Sequence, residues 1–403
     1  MVDPRQAWEG IAACLAPLPA SRQRLRDCVG LVAAETIRAD RDLPPADRSA
    51  MDGYAVRSAD LRNGPRCLRL IGEVAAGSPA RPRIRAGTCA RILTGGNLPP
   101  GADCVVIVEE TEETSGGIRM LSPAAQGANI LKRGEDARRG DVLIRKGEVL
   151  DSSRIGVCAS VGKADLQIIR RPRVTLLCTG AELREPEDSV GRHQLRNSNG
   201  PAIAAALAEW QFAKTTYRSL PDRVAEIAAA LKKAARVCDV ILLTGGMSVG
   251  KYDVVREAIE EIHAVVRLHG VAMKPGKPFL HATLGGNTHL FGLPGNPLSA
   301  LTGLHEFVLP ALRRLSGSPL LECRPSWRLP LVSPLTSKGQ RVRYILGRLD
   351  RTGALTGIVP IPSRSSADLV SAGRADGVLI VPARVTHLRA GAIVEFRAWR
   401  PLS

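Results

Sequence analysis

The sequence predicts a multidomain α/β protein, with an elongated helical region carrying an inserted β unit, a central three-layer α/β domain and a C-terminal β domain. Strand and helix patterns alternate from Arg173 to Leu315, which is typical of βαβ units and a parallel sheet. Short β runs separated by Gly and Pro turns lie on both sides of that segment. The length of 403 residues fits about two to four domains.

Turn-rich segments and changes of pattern place the domain boundaries. We expect an N-terminal linker and dimerisation domain made of two segments, residues 1–40 and 137–170, with an inserted β-rich domain at residues 41–136 between them. An α/β domain at residues 171–318 and a C-terminal β domain at residues 319–403 follow.

The first segment has the signals of helices. Asp3 and Pro4 are a capping carboxylate and a first-turn proline, and the apolar residues that follow are spaced as on one helix face. A second helical pattern covers Val29–Ala39, and a third covers Ser152–Val161. We expect the third helix to pack beside the first two, so that the β unit between them is an insertion.

The inserted unit and the C-terminal domain have strand signals. Alternating runs at Leu68–Val74, Cys89–Leu93 and Cys104–Val108 are separated by Gly and Pro turns, and Gly116 with Gly117 predicts a hairpin turn. The chain after residue 319 continues this pattern and contains no convincing helix.

The α/β segment alternates apolar strands with helices. We expect strands at Val174–Cys178 and Val240–Thr244, near Val265 and Phe279 and at His289–Phe291, and helices at Pro201–Trp210, Pro221–Ala235, Val254–Ile262 and Leu298–Leu315.

Charge and composition restrict the class of protein. The net charge of +17 raises nucleic acid as a partner, but aromatic residues are only 3 % of the chain, and the basic residues are mostly scattered arginines. We therefore interpret the charge as an attraction for small anionic ligands and expect no nucleic-acid partner. No apolar run reaches the ~18 residues of a membrane span. The nine cysteines form no C-x-x-C pair, so we expect reduced thiols in a cytoplasmic protein.

The stretch Val240–Asp253 is the strongest candidate for a ligand site. An apolar strand ends at Thr244, and the Gly-rich turn that follows can bring backbone N–H groups close to an anion. Asp253 lies where the next helix begins, so it is either a functional carboxylate or an ordinary N-cap. Glu182 follows the strand at Val174–Cys178, so both carboxylates are expected at one crevice beyond the strand ends.

Two further loops are expected at the same crevice. Lys274 and Lys277 lie three residues apart in a proline-stiffened loop, and Gly292–Pro297 follows a short strand. Lysines, a carboxylate and Gly-rich turns indicate a phosphorylated ligand, with or without a metal ion.

Six ordered motifs resemble the molybdopterin molybdenumtransferase family, which includes the gephyrin E domain. The resemblance extends over almost the whole chain, and its motifs are Ser49–Val56, Leu93–Gly96, Arg133–Asp136, Thr244–Gly250 with Asp253, Met273–Phe279 and Gly292–Pro297. It implies that the central domain is a molybdopterin-binding domain and that the N-terminal domain takes part in dimerisation.

The resemblance also implies a reaction. The family inserts molybdenum from molybdate into adenylylated molybdopterin, in a Mg²⁺-dependent step that releases AMP and leaves molybdenum cofactor. The residues can accommodate this chemistry, because pyrophosphate needs positive charge and N–H donors, and Mg²⁺ needs hard oxygen ligands.

The motif positions imply a set of site residues. Expected catalytic residues are Asp253, Glu182, Asp52 and Asp222, and expected metal ligands are Glu182 and Asp253. Expected ligand-binding residues are Thr94, Asp136, Thr179, Gly180, Gly245, Gly246, Ser248, Gly250, Lys274, Lys277, Pro294, Pro297 and Ser365. Asp222 could instead cap the helix at Arg223, and Ser365 or Ser366 could be an ordinary loop residue.

The family pattern implies a homodimer in which the first part of the chain covers the partner's crevice. Asp52, Thr94 and Asp136 belong to that part. Expected protein partners are the molybdopterin adenylyltransferase and recipient molybdoenzymes, and no membrane is expected.

Two positions depart from the family pattern. Leu131 and Gly270 replace basic residues that are common in the family, which removes possible anion contacts, and Lys132, Arg133 or His269 could compensate. Alternative classes are a scaffold protein, a molybdopterin-binding protein without turnover and a nucleic-acid binder.

Overall fold

The computed structural model describes residues 1–62, 64–79, 82–212, 215–246, 254–353 and 355–400. Its N-terminal part contains two helices, α1 (Pro4–Ala13) and α2 (Ser152–Ser160). The strands of this part are β1 (Ala20–Arg24), β2 (Val32–Ala33), β3 (Ile37–Arg38), β4 (Arg48–Ser49), β5 (Gly53–Val56), β6 (Arg66–Val74), β7 (Thr88–Ile92), β8 (Cys104–Ile107), β9 (Thr111–Thr114), β10 (Gly117–Met120), β11 (Ile130–Leu131), β12 (Val142–Ile144) and β13 (Asp165–Ile169).

The predicted helix over Val29–Ala39 is wrong. This stretch forms the short strands β2 and β3, which pair antiparallel with β13 and β12. Gly30 has φ +74°, a left-handed conformation that does not continue a helix. Pairing with strands more than a hundred residues later overrides the local helical pattern.

The helix α1 begins as predicted, because the Asp3 carboxylate accepts a hydrogen bond from the Arg5 N–H at 2.8 Å. Its packing differs from the prediction. Trp8 and Ile11 are buried in the core of the α/β domain, whereas α2 packs in a separate core around Cys158. The apolar face of α1 therefore belongs to the central domain.

The inserted β unit is confirmed as a sheet. Its strands lie in the order β8-β5-β7-β6-β10-β9, and β9 and β10 form the hairpin predicted at Gly117. The segments before and after the insertion meet again in the sheet β1-β13-β2, where Ala20 pairs with Ile169. The domain boundaries themselves stay a prediction.

The α/β domain has helices α3 (Asn199–Glu209), α4 (Val224–Ala235), α5 (Val254–Glu261), α6 (Pro297–Gly303) and α7 (Leu309–Leu315), with a π-helical segment at Leu304–Val308. Its strands are β14 (Val174–Thr179), β15 (Leu183–Arg184), β16 (Leu195–Arg196), β17 (Tyr217–Leu220), β18 (Val240–Thr244), β19 (Val265–His269), β20 (Met273–Lys274), β21 (Leu280–Leu284) and β22 (Thr288–Leu293).

The central sheet is covered on both faces, which gives three layers. In β18, Val240 and Leu242 belong to the core on the side of α3, α6 and α7, and Ile241 and Leu243 to the core on the side of α4 and α5. Burial on both faces explains why this strand is an uninterrupted apolar run.

The sheet is mixed, and the prediction of a parallel sheet was only partly correct. Its order is β17-β14-β18-β22-β21-β19, with parallel pairing as far as β22 and antiparallel pairing beyond it. The cause is a hairpin between β21 and β22, where Gly285 and Gly286 both have positive φ, the conformation that tight hairpin turns require.

The C-terminal domain contains β23 (Trp327–Pro330), β24 (Leu335–Thr336), β25 (Val342–Asp350), β26 (Gly357–Pro360), β27 (Gly377–Val381), β28 (His387–Leu388) and β29 (Ile393–Ala398). The expectation that it lacks a helix is wrong, because it contains the single-turn helix α8 (Leu369–Ala372). Asp368 caps this helix, since its carboxylate accepts a hydrogen bond from the Ser371 N–H at 3.0 Å.

A buried ion pair joins the C-terminal domain to the α/β domain. Glu306, in the π-helical segment, is fully buried and bonds to Arg397 of β29 and, at 2.8 Å, to Arg324. Since Glu306 has two cationic partners, its charge is compensated in the interior, and loss of both partners would leave a buried charge.

All nine cysteines lie within the described residues, and none forms a disulfide. In the part of the chain that the structure describes, no helix combines the length and apolar character needed to cross a bilayer.

Candidate active site

A cavity of about 600 Å³ lies at the carboxyl ends of the parallel strands of the central sheet. The chain runs from β14 outward to β17 and then returns to β18 on the other side of β14. The strand order therefore reverses between β14 and β18, and this reversal opens a crevice where ligands bind in α/β sheets. The cavity has the size of a typical small-molecule site.

Glycine turns line the cavity. Gly245 and Gly246 follow β18 with φ of +100° and +60°. A Cβ on Gly245 would lie 2.0 Å from the carbonyl oxygen of Thr179, so no other residue fits between the ends of β14 and β18. The turn is tight because the two strand ends approach each other closely.

A side-chain amide joins two of these strand ends. The Nδ2 atom of Asn199, at the start of α3, donates to Thr244 Oγ1 at 2.9 Å and to the carbonyl oxygen of Gly295 at 2.8 Å. Thr244 Oγ1 donates in turn to the carbonyl oxygen of Pro294 at 3.2 Å. The loop after β22 is thereby fixed against the end of β18.

Two carboxylates line the same cavity. Glu182 and Asp222 are both exposed, and Asp222 Oδ2 accepts a hydrogen bond from the Ala181 N–H at 3.1 Å. The helix α4 begins at Val224, after its N-cap residue Arg223. The bond to Ala181 gives Asp222 a contact at the cavity edge that helix capping does not explain.

The C-terminal domain contributes to the wall of the cavity. Asn296 Nδ2 donates to Ser366 Oγ at 2.9 Å, and the Ser299 N–H donates to the carbonyl oxygen of Ser366 at 3.2 Å. Ala367, the next residue, lines the cavity. The loop that contains Ser365 therefore borders the site, although Ser365 itself bonds to the Ala367 N–H.

The predicted site residues fall into three groups. The cavity brings together Thr179, Gly180, Glu182, Asp222, Gly245, Gly246, Pro294 and Pro297. Other described residues lie outside its lining in the single chain, namely Asp52, Thr94, Asp136, Lys274, Lys277 and Ser365. The predictions for Ser248, Gly250 and Asp253 concern positions outside the described residues.

Asp52 and Thr94 form a small polar cluster of their own. One oxygen of Asp52 accepts from both the N–H and the hydroxyl of Thr94, at 2.6 and 2.7 Å. Both bonds lower the pKa of the exposed Asp52 carboxyl, and the bond from the N–H has the larger effect. The carboxylate is held in a fixed position on the surface of the inserted β unit.

Two of the basic residues suggested as substitutes for Leu131 have local partners. Lys132 Nζ lies 3.0 Å from Asp47 Oδ2, and Arg133 Nε lies 2.7 Å from Asp42 Oδ2. Both side chains therefore support the loop that ends at Asp136.

Sequence reasoning missed the segment just before α3. Arg196, Asn197, Ser198 and Asn199 line the cavity, and Asn197 Oδ1 accepts from the Gly200 N–H at 2.9 Å. The available signal was a run of Asn and Ser residues before an Ala-rich helix, which is typical of a helix start.

Two carboxylates of the chain are available to a metal ion at this cavity. No group of three or more His, Cys, Asp or Glu side chains is arranged to hold a metal ion among the described residues. Glu182 and Asp222 are the carboxylates of the described cavity lining. They are oxygen donors of the type that Mg²⁺ prefers.

Three family descriptions match the chain in order. They are the MoeA N-terminal region (domain I and II) at residues 2–162, the probable molybdopterin binding domain at 175–314, and the MoeA C-terminal region (domain IV) at 328–399.

Individual proteins match over nearly the full length. The molybdopterin molybdenumtransferase of Staphylococcus aureus (strain COL) is 31% identical over 396 residues, which are 97% of this chain and 94% of that protein. A crystal structure of a molybdopterin biosynthesis moeA protein from Pyrococcus horikoshii aligns with a TM-score of 0.80 at 30% identity, covering 100% of both chains. A second crystal structure of this protein type from that organism aligns with a TM-score of 0.83 at 27% identity, and the alignment covers 99% of this chain and 100% of the other.

The domain order, the cavity at the strand reversal and these matches define a transferase of molybdenum cofactor biosynthesis. The chain belongs to the molybdopterin molybdenumtransferase family. The family resemblance carried by the motifs is confirmed, and so is the multidomain fold class predicted from the strand and helix patterns.

Proposed function

We propose that this enzyme inserts molybdenum from molybdate into adenylylated molybdopterin and releases AMP, in a Mg²⁺-dependent reaction. The observation that carries the proposal is the cavity at the strand reversal, which is lined by two carboxylates and a glycine-rich turn. Membership in the family supports the substrate class. Cleavage of a phosphoanhydride needs groups that hold phosphate and groups that hold a cation, and the cavity offers sites for both.

Glu182 and Asp222 would hold Mg²⁺, together with phosphate oxygens of the substrate. Mg²⁺ commonly binds through one or two carboxylates and substrate phosphates, so a complete protein cage is not required. The bound metal would stabilise the charge that develops on the phosphoanhydride. Asp253, which the motifs imply as a metal ligand together with Glu182, remains a candidate as well.

The chain's own residues would position the pterin nucleotide. The turns at Gly180 and Gly245 have no Cβ, so ligand phosphates can approach their backbone closely. Asn199 and Thr244 hold the turn after β22 in place, and Asp222 orients the turn at Ala181. Lys274 and Lys277, both exposed, would add positive charge at the edge of the site.

The active site would be shared between the subunits of a homodimer. Asp52 and Thr94 do not line the cavity of their own chain, and the family pattern implies that they act at the cavity of the partner subunit. In a two-fold dimer each N-terminal arm can cover the cavity of the other subunit, because such contacts are reciprocal. We propose a cytoplasmic enzyme that receives substrate from the adenylyltransferase and passes the cofactor to molybdoenzymes.

The test is AMP release from adenylylated molybdopterin in the presence of molybdate and Mg²⁺. Glu182→Gln and Asp222→Asn keep side-chain size and remove charge, so turnover should fall by about 10²-fold or more. Glu187→Gln is the matched control, because Glu187 is exposed and does not line the cavity. Normal AMP release by both cavity variants would refute the assignment of the site.

A further inference from the structure

A second cavity, of about 240 Å³, lies between the N-terminal region and the α/β domain. Residues from both regions line it, among them Gly30, Val149 and Ile169 from the first and Trp210 and Arg313 from the second. Arg171, in the connection between the two regions, also lines it. Neither the motifs nor the proposed reaction gives this cavity a role.

Two guanidinium groups, those of Arg171 and Arg313, line this cavity. Arg171 Nη2 donates to Gln211 Oε1 at 3.2 Å. Arg313 lies over the Trp210 ring, 4.5 Å from its centroid, and donates to the carbonyl oxygen of Cys323 at 2.9 Å. Neither arginine has an ion pair within the described part of the chain. Each guanidinium has five N–H donors, so these bonds leave most donors available.

Both side chains are partly buried, which adds to the cost of their charges. Burial lowers the pKa of Arg171, and it lowers the pKa of Arg313 to about 10. Both side chains are still cationic at neutral pH. Removing a cation from water without a counter-ion costs free energy, so a small anion in the cavity would lower this cost.

Hydroxyl groups complete the polar lining. Ser316 Oγ is buried and has no hydrogen-bond partner among the described residues, and Ser316 and Ser318 both line the cavity. Gly30 has φ +74°, and a Cβ there would lie 2.6 Å from Gln211 Oε1 and 3.1 Å from Arg171 Nη2. The absence of a side chain at Gly30 therefore allows Arg171 and Gln211 to occupy this position.

One residue of the lining, Glu322, carries a negative charge that repels an anion. Glu322 is exposed, and its carboxylate reduces the net positive charge of the cavity. Two cationic side chains against one hydrated carboxylate still leave a positive site.

We propose that this interdomain cavity binds a small tetrahedral oxyanion such as phosphate or sulfate. The guanidinium groups and the serine hydroxyls offer hydrogen-bond donors to several oxygens of one anion. The volume is below the range of cavities that hold drug-sized ligands, which favours a lone oxyanion over a nucleotide. The bound anion would connect the N-terminal region to α7. This inference does not depend on the proposed reaction.

The test uses sulfate, which has no part in the pterin chemistry. Calorimetric titration of the full-length protein with sulfate, at an ionic strength matched with chloride, should show binding that Arg171→Gln weakens by about tenfold or more, the loss expected for one charged donor group. Arg351→Gln, an exposed arginine outside the cavity, makes the same charge change and should bind like wild type. Glu322→Gln should bind sulfate more tightly.

Three further measurements complete the test, and the last of them separates this cavity from the first one. Arg171→Lys keeps the charge but loses the paired N–H donors of the guanidinium group, so its affinity for sulfate should fall between those of wild type and Arg171→Gln. Thermal unfolding without sulfate establishes that each variant is folded. Anomalous scattering from selenate soaked into crystals should place an anion beside Arg171 and Arg313. Equal sulfate affinity of wild type and Arg171→Gln, or selenate found only in the cavity of Glu182, would overturn the proposal.

Discussion

Asn199 Nδ2 lies 2.8 Å from the carbonyl oxygen of Gly295, and this bond connects the start of α3 to the loop after β22. The same amide donates to Thr244 Oγ1, so one side chain holds the ends of two parallel strands and a helix together. The relative positions of the turns around the cavity depend on this residue.

Replacement of Asn199 should loosen the cavity. Asn199→Ala removes two hydrogen bonds, which should lower the free energy of unfolding by about 1–2 kcal/mol. Binding of adenylylated molybdopterin should weaken as well, because the turn at Gly295 loses its support. Urea unfolding and calorimetric titration measure the two effects. Asn199→Asp keeps the side-chain volume without the N–H donors, and wild-type binding by this variant would contradict the role of the amide.

The pair Lys274 and Lys277 should contribute charge to ligand binding. Their joint replacement with Ala should weaken the binding of adenylylated molybdopterin and flatten its dependence on salt, because two screened charge contacts are lost. The measurement is titration calorimetry at low and moderate salt. Lys146→Ala with Lys233→Ala removes the same charge from exposed positions elsewhere and serves as control. If both double variants behave alike, the two loop lysines are ordinary surface charges.

The shared active site predicts complementation between inactive variants. Asp52→Ala and Asp222→Ala should each be inactive alone and recover activity when their subunits exchange. With full exchange about half of the dimers are mixed, and one of the two sites in each is intact, so roughly a quarter of wild-type activity is expected. AMP release before and after exchange measures this. Persistent inactivity, with exchange proven by mass spectrometry, would place both carboxylates in the site of one chain.

Three buried histidines predict a loss of stability in acid. Burial lowers the pKa of His281 to about 3, of His289 to about 4 and of His305 to about 3. The unfolded chain takes up protons below its ordinary histidine pKa of about 6.5, whereas the folded protein resists protonation until about pH 4. Stability should therefore be full above about pH 6.5 and decline as the pH falls towards 4.

Urea unfolding across this pH range measures the effect. His289→Gln should reduce the slope, since each unit of pKa difference corresponds to about 1.4 kcal/mol. His193→Gln, at an exposed position, should leave the slope unchanged. A stability that does not change between about pH 6.5 and 4 would contradict the burial of neutral histidines.

The fold class could be predicted because its signals are local or repeated. The apolar run at Val240–Thr244 and the alternation of strands with helices identify the α/β domain, and ordered motifs identify the family. The segment Val29–Ala39 was misassigned because its strands exist only through pairing with residues 142–169. The antiparallel edge was missed because the turn at Gly285 and Gly286 was not recognised as a hairpin.

The sequence pattern placed motif residues at strand ends, and two of them, Thr179 and Gly245, line the cavity. Asn199 was missed because its role arises from contacts with residues 45 and 96 positions later in the chain. The cavity beside Arg171 could not be foreseen either, since its walls come from regions that are distant in the sequence.

The most direct test of the proposed function is the stoichiometry of the reaction. Wild-type enzyme incubated with adenylylated molybdopterin, molybdate and Mg²⁺ should release about one AMP for each molybdenum atom that becomes bound to the pterin, as the balance of the proposed transfer requires. Chromatography measures the AMP, and mass spectrometry measures the pterin-bound metal. Asp222→Asn should reduce both products together. Molybdenum incorporation without AMP release, or equal yields from wild type and Asp222→Asn, would contradict the account.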